Sequence, residues 1–290
     1  MISLSNGHKF EYMAASGALG PGGKGWLWEQ PLRWLGLLDV TLFTTVLKTI
    51  TLFPRRGNYR WYNPFRCVRV IRDGVHNAFG LTNGGLDWWC RKIGPKIDSK
   101  RAPAIGSIFG ETGELVEMTR RLNDFDLVGL ELNDSCPNSG DDLLGHNQRT
   151  IEKCEAVANE SRFPVILKVS PVHDVENIVP HIGGWIEALS INSVPKAMFC
   201  PDQPGPFDRF GGGAYSGKVA QPFTWAMVDR LVALSSIPVI GPSVWDYPDI
   251  AGLRRRGVKA ISFGGIFLPH PLRPTAFVRR DLQESAGNAG

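Results

Sequence analysis

Leu127-Val128-Gly129-Leu130-Glu131-Leu132 runs directly into Asn133-Asp134-Ser135-Cys136-Pro137-Asn138. The first six residues are an apolar run, which predicts a buried strand. The next six set two carboxamides on either side of a thiol at that strand's C-terminal end. Pro137 withholds a backbone donor and stiffens the turn. An asparagine donates and accepts at once, so two of them can read the C=O/N–H edge of a heterocycle or an amide. A cysteine between them can serve as base or nucleophile. An Asn/Pro turn around an incidental small apolar residue is the other reading of the hexapeptide.

Outward from this stretch, short apolar runs alternate with amphipathic ones. Strands are expected at Glu11–Ser16, Leu42–Lys48, Ala104–Ile108, Leu127–Asn133, Pro164–Val169, Ala188–Asn192, Ile237–Gly241 and Lys259–Phe263. Helices are expected at Trp28–Leu38, Thr112–Asn123, Thr150–Ser161, Val175–Trp185, Gln221–Ser235, Pro248–Arg256 and Leu272–Glu284. Eight strand–helix alternations predict an α/β fold, a single (β/α)8 TIM barrel taking up all 290 residues, with a doubly wound open sheet as the alternative. The long connections 49–79, rich in Arg, Tyr and Trp, and 195–218, rich in Gly and Pro, are expected at the active-site rim or a subunit contact.

The composition is that of an ordinary globular chain. A net charge of +4, dispersed, gives no ground for a nucleic-acid partner. Arg254-Arg255-Arg256 reads as a solvated helix end, where cations suit the dipole. The 5 cysteines are odd in number and none has CxxC spacing, which argues against a disulfide framework, an iron–sulfur cluster or a structural zinc site. A reducing, cytoplasmic location is expected. Met1–Phe10 lacks the apolar segment of a signal peptide. Arg33, Asp39 and Lys48 interrupt Leu32–Phe53, so a helix followed by a buried strand is expected there and not a transmembrane segment. Trp26 and Trp28 leave a membrane-surface helix as a second reading. His8, His76, His146, His173, His181 and His270 show no metal-ligand spacing, and no metal is expected.

In a barrel of this kind, chemistry gathers at the C-terminal strand ends. Those ends carry Ala15-Ser16-Gly17, Lys48-Thr49, Ser107, Asn133 to Asn138, Lys168, Asn192-Ser193, Gly241 and Gly264-Gly265. Buried lysines and asparagines are costly unless paired. Two lysines and three asparagines at matching ends therefore point to one polar site of heterocycle size. Gly241 and Gly264-Gly265 follow the last two strands, where bare backbone N–H groups form the usual phosphate site of this fold.

With these residues in place, the chain resembles the dihydroorotate dehydrogenase family, FMN-containing barrels of pyrimidine synthesis, over almost its whole length. The Asn-x-Ser-Cys-Pro-Asn motif is Asn133 to Asn138, and Ala15 to Gly17, Lys48-Thr49, Asn77 to Asn83, Lys168, Asn192-Ser193 and Gly211 to Lys218 match further family segments. The resemblance implies FMN-dependent oxidation of dihydroorotate to orotate. Cys136 would be the base that removes the C5 proton, as in the soluble branch of the family. Asn77, Asn133, Asn138 and Asn192, with Ser193, would hold the pyrimidine ring. Lys48 would meet the substrate carboxylate, helped by the Gly80 and Leu81 backbone. Lys168 would offset charge on the flavin. Ala15, Ser16, Lys48, Thr49, Asn133, Ser193, Ser216 and Gly217 would line the flavin, and Gly241, Ser243, Gly264 and Gly265 would take its phosphate. A homodimer or a separate electron-transfer subunit is implied as partner. Fumarate, a quinone or NAD reached through such a subunit all remain open as acceptor.

Two segments depart from the family pattern. After strand seven, where members carry Gly-x-Gly-Gly-Ile, this chain has Gly241-Pro242-Ser243-Val244-Trp245-Asp246. Pro242 removes a donor, and the bulkier side chains restrict close phosphate approach. Ser243-x-x-Asp246 also reads as a capping box for the next helix, with Pro248 in its first turn. Ser139-Gly140-Asp141-Asp142 puts two acids beside a site expected to bind an anion, and they either face solvent or favour a neutral dihydropyrimidine. The alternatives to dihydroorotate oxidation are a flavin oxidoreductase for another cyclic amide, or a non-catalytic barrel.

Overall fold

The computed structural model describes residues 1–134 and 147–287. At its centre lie eight parallel strands: β1 Tyr12–Ala14, β2 Thr44–Val46, β3 Ala104–Ile108, β4 Gly129–Asn133, β5 Val165–Val169, β6 Ala188–Ile191, β7 Ile240–Gly241 and β8 Ala260–Phe263. Their order in the sheet is β6-β5-β4-β3-β2-β1-β8-β7. The two outer strands meet, since Leu189 bridges Val239 in parallel and its N–H donates to the Pro238 carbonyl at 2.8 Å. The sheet is thus the expected barrel, and each of its strands falls inside a predicted stretch.

The helices are α1 Gln30–Trp34, α2 Gly85–Lys92, α3 Thr112–Leu122, α4 Asn147–Glu160, α5 Val175–Ile178, α6 Lys196–Phe199, α7 Gln221–Leu234, α8 Pro248–Arg255 and α9 Arg273–Gly287. In α3, Leu115, Met118, Thr119 and Leu122 are buried, the spacing of a one-faced helix. That face joins a continuous core with the outward side chains of the strands, Leu130, Leu132, Leu167 and Leu189 among them.

The barrel interior is a separate core. Met13, Val46, Ile105, Ile166, Ala188, Ile240 and Ala260 form its lower layer. Ile2, Leu4 and Phe10 pack against them from an N-terminal hairpin, in which Ile2 pairs with Phe10. The hairpin is tied to the lower rim: Ser5 N–H donates to Glu187 at 2.7 Å, and Asn6 donates to the Val128 carbonyl at 3.1 Å.

Several expectations need correction. The helix predicted over 28–38 is a 3₁₀ turn, Leu27–Glu29, and the short α1, ended by Gly36 at φ 68°. The one predicted over 175–185 stops at Ile178, and a 3₁₀ turn carrying Pro180 follows. No helix among the described residues is long and apolar enough to cross a membrane. Arg254 does close α8, but it is not a solvated end. It bonds Glu11 at 2.6 Å and Asp281 at 2.5 Å, and so ties β1, α8 and α9 together. Arg256 pairs with Asp229.

The connection 49–79 holds the hairpin Val68–Ile71 and Gly74–Asn77. Ala214–Gly217, from 195–218, pairs antiparallel with Gly74–Asn77, and Val194–Pro195 pairs with Ala214–Gly217. The two long connections thus build one four-stranded sheet.

Candidate functional site

A cavity of about 250 Å³ opens at the C-terminal ends of the barrel strands. Ala15 and Ser16 reach it beyond β1, Lys48 and Thr49 beyond β2, Asn133 from β4, Lys168 from β5, and Asn192 and Ser193 beyond β6. Pro242, Ser243 and Val244 line it beyond β7, and Gly264 and Gly265 beyond β8. The four-stranded sheet and its loop add Asn77, Leu81, Ser216 and Gly217. Gly80 and Gly241 are not among the lining residues. Gly241 instead packs against α8, where a Cβ would come within 3.1 Å of Leu253 and Val258. Cys136, Asn138, Asp141, Asp142 and His146 lie outside the described residues.

Beneath the cavity the side chains form a continuous chain of hydrogen bonds. Ser16 Oγ meets Thr49 Oγ1 at 2.9 Å, and Thr49 Oγ1 meets Ser107 Oγ at 2.8 Å. Ser107 donates to Glu131 Oε1 at 2.9 Å, and Lys168 Nζ lies 3.4 Å from the same oxygen. Asn133 donates to Thr49 Oγ1 at 3.0 Å. Register explains the convergence: parallel neighbours share a face, and Ser107 pairs with Glu131, Asn133 with Lys168, and Ser190 with Lys168. Lys48 Nζ lies 5.2 Å from the centre of the Phe79 ring.

Glu131 was not singled out from the sequence. The period-2 alternation of β4 carried the signal, because Glu131 stands two residues before Asn133 and shares its inward face. Glu29 was missed too, and its place on a short, irregular turn leaves no periodic signal. It is buried at the cavity wall, accepts the Trp26 N–H at 2.7 Å, and burial pushes its carboxyl above the usual range. Next to Lys48 and Phe79, Trp26, Tyr59, Trp88 and Trp89 enclose a second, apolar cavity of about 160 Å³.

Where β4 ends, Asp134 is buried among Lys153 Nζ at 2.9 Å, Thr150 Oγ1 at 2.5 Å and His173 Nε2 at 3.9 Å. Burial pushes its carboxyl up, but His173, Lys153 and Thr150 outweigh this and hold it below the ordinary range. The cluster fastens the start of α4 and the loop after β5 to the end of β4.

The loop after β7 does not cap α8 as expected. Ser243 takes φ 64°, an uncommon backbone for a residue with a Cβ. Its hydroxyl accepts from Thr224 at 3.0 Å, and Gln221 donates to its carbonyl at 3.0 Å. Asp246 pairs with Lys218 at 2.7 Å. Asp249, within α8's first turn, takes the Trp245 and Asp246 N–H groups at 2.9 and 2.8 Å. On the opposite wall the glycines are required by close approach. A Cβ on Gly265 would lie 2.3 Å from Ser216 Oγ, and one on Gly217 would lie 2.7 Å from the Trp245 ring. Three carboxamides, two lysines, a row of hydroxyls and glycine backbone suit a polar heterocycle with an anionic tail, and FMN fits that donor set.

A closed parallel barrel with helices outside and a polar cavity at the C-terminal strand ends defines an α/β-barrel protein. The family model described as Dihydroorotate dehydrogenase matches residues 29–243. The chain is 31% identical over 281 residues to the catalytic subunit of dihydroorotate dehydrogenase B (NAD(+)) from Desulforudis audaxviator, covering 94% of this chain and 87% of that protein. It is 28% identical over 279 residues to the subunit of the same name from Listeria monocytogenes, covering 93% and 86%. A ligand-free DHODH from Eimeria tenella shares the fold, with a TM-score of 0.72 at 15% identity over 96% of this chain and 85% of that one. The chain belongs to the dihydroorotate dehydrogenase family.

Proposed function

We propose that this chain oxidises dihydroorotate to orotate in pyrimidine biosynthesis, with FMN bound in the main cavity and Cys136 as the base. The observation that carries this reading is the gathering of Lys48, Lys168, Asn77, Asn133 and Asn192 around one cavity in a chain of this family. Asn77, Asn133 and Asn192, with Asn138, hold the pyrimidine ring, and Lys48 takes the carboxylate with help from the Gly80 and Leu81 backbone. Cys136 removes the C5 proton while the C6 hydride departs, leaving a C5=C6 double bond. An unperturbed thiol has a pKa of about 8.5, and neighbouring lysine charge favours its thiolate. FMN, when bound, supplies the two-electron acceptor. Lys168 offsets negative charge beside it, Ala15, Ser16, Thr49, Ser193, Ser216 and Gly217 line it, and Ser243, Gly264 and Gly265 meet its phosphate.

The relatives are named as catalytic subunits of an NAD(+)-linked enzyme. By the same reading a separate subunit carries the electrons onward, since the 5 cysteines of this chain have no cluster spacing, and the protein works in the cytoplasm. Asp141-Asp142, directly after Ser139-Gly140 and three residues past the motif's Asn138, favour a second reading, a neutral dihydropyrimidine as substrate. The test is anaerobic reduction. Purified protein is expected to release FMN on heating and to bleach with dihydroorotate. Cys136→Ala should keep its flavin and lose about 10²–10⁴-fold in reduction rate. Colourless protein that takes up no FMN overturns the reading. Bleaching by dihydrouracil but not dihydroorotate replaces it with the second.

A further inference from the structure

Glu131 is the one carboxylate in the hydrogen-bonded chain beneath the cavity. Its side chain is 1% exposed, and its Oε2 meets no donor among the described residues. Its register neighbour on β5 is the apolar Ile166, and on β3 the apolar Ile105 stands two residues before Ser107. A buried carboxylate in such a place is tolerated only when a cation shares it. Lys168, itself 8% exposed at the side chain, is that cation, with Nζ 3.4 Å from Oε1. Ser107 fixes the shared oxygen from β3, and Thr49 fixes Ser107 from β2. Lys168 alone of the pair reaches the cavity wall.

We propose that Glu131 is the positioning residue for Lys168: it holds the ammonium aimed at the cavity floor, and it acts on the flavin only through that lysine. The inference rests on the flavin reading above. Without Glu131 the ammonium loses the anion that fixes its place, and without Lys168 there is no ammonium to place. Removing either residue therefore takes a fixed ammonium away from the cavity floor beside the flavin.

The experiment is a double-variant cycle with Glu131→Gln, Lys168→Met and the two combined, read as the midpoint potential of bound FMN. All three are expected to move the potential in the same, more negative direction, with the double variant close to the singles and not at their sum. An opposite shift in Glu131→Gln would mean that the carboxylate acts on the flavin directly as an anion, and no shift would mean that it is structural filler. Either result overturns the proposal. A second readout needs no flavin. In protein stripped of it, each single variant is expected to lower Tm, and the double variant to fall no further than the worse single. Additive losses overturn the pairing. If wild type binds no FMN, the flavin reading fails while the Tm cycle still decides the pair.

Discussion

Two adjacent layers of the barrel interior differ by one step of two residues along the same strands. The inward side chain changes from Ile105 to Ser107 in β3, from Ile166 to Lys168 in β5, from Ala188 to Ser190 in β6 and from Ala260 to Ser262 in β8. The lower layer needs only neighbours of the right volume. Fully burying an aliphatic side chain is worth about 1.5–3 kcal/mol wherever it packs well. The upper layer needs particular partners, because a buried polar group left unpaired costs about 1–3 kcal/mol. Ser16, Thr49, Ser107, Glu131 Oε1 and Lys168 meet that demand by bonding one another across five strand ends, β1 to β5. The lower layer therefore makes the barrel stable, and the upper layer makes it specific.

The division can be broken from below. Ile166→Ala opens a cavity in the fully buried lower layer and is expected to cost about 2–5 kcal/mol of stability while flavin content per folded molecule stays unchanged. Denaturant melts alongside flavin absorbance check this, and loss of flavin in well-folded protein would show that the layers are coupled. From above, Lys48→Met removes a charge that lines the cavity. It should raise the KM for dihydroorotate by roughly ten- to a hundredfold, equivalent to about 1.5–3 kcal/mol of charge-assisted hydrogen bonding, and leave the melt nearly in place. Steady-state kinetics with dihydroorotate and dihydrouracil side by side read the effect, and an equal loss for both substrates would separate Lys48 from the carboxylate. The smallest change is expected at the rim. Ser243→Gly relieves a left-handed backbone but adds chain entropy and drops the Thr224 bond, so stability should move by less than about 1 kcal/mol. A larger loss would make the Thr224–Ser243 contact a principal tie of the loop.

The barrel was legible because each strand is a short apolar run with a polar residue or glycine within two residues of its end, and eight of these alternating with helical stretches leave few architectures. The four-stranded sheet was not legible, because Gly74–Asn77 finds its partner Ala214–Gly217 about 140 positions along the chain. Half of it did carry a local signal. Val68-Arg69-Val70-Ile71 is followed by Asp73-Gly74, and Asp73 takes the φ of 60° that a tight hairpin turn demands. The helix α2 was not expected: it is only eight residues long and opens on Gly84-Gly85, a pair that reads as a turn. At the site, strand-end lysines and asparagines could be found by position alone. Glu131 escaped because it sits inside an apolar run, where an acid reads as an interruption until the opposite strand supplies Lys168.

The hairpin under the barrel bears on traffic. With Ile2, Leu4 and Phe10 pressed into the base and Ser5 and Asn6 fastened to the rim, the bore is a blind-ended well. Molecules can come and go at the upper mouth but cannot pass through. Whatever lies deepest must arrive first and leave last, and two visitors to the same floor must take turns.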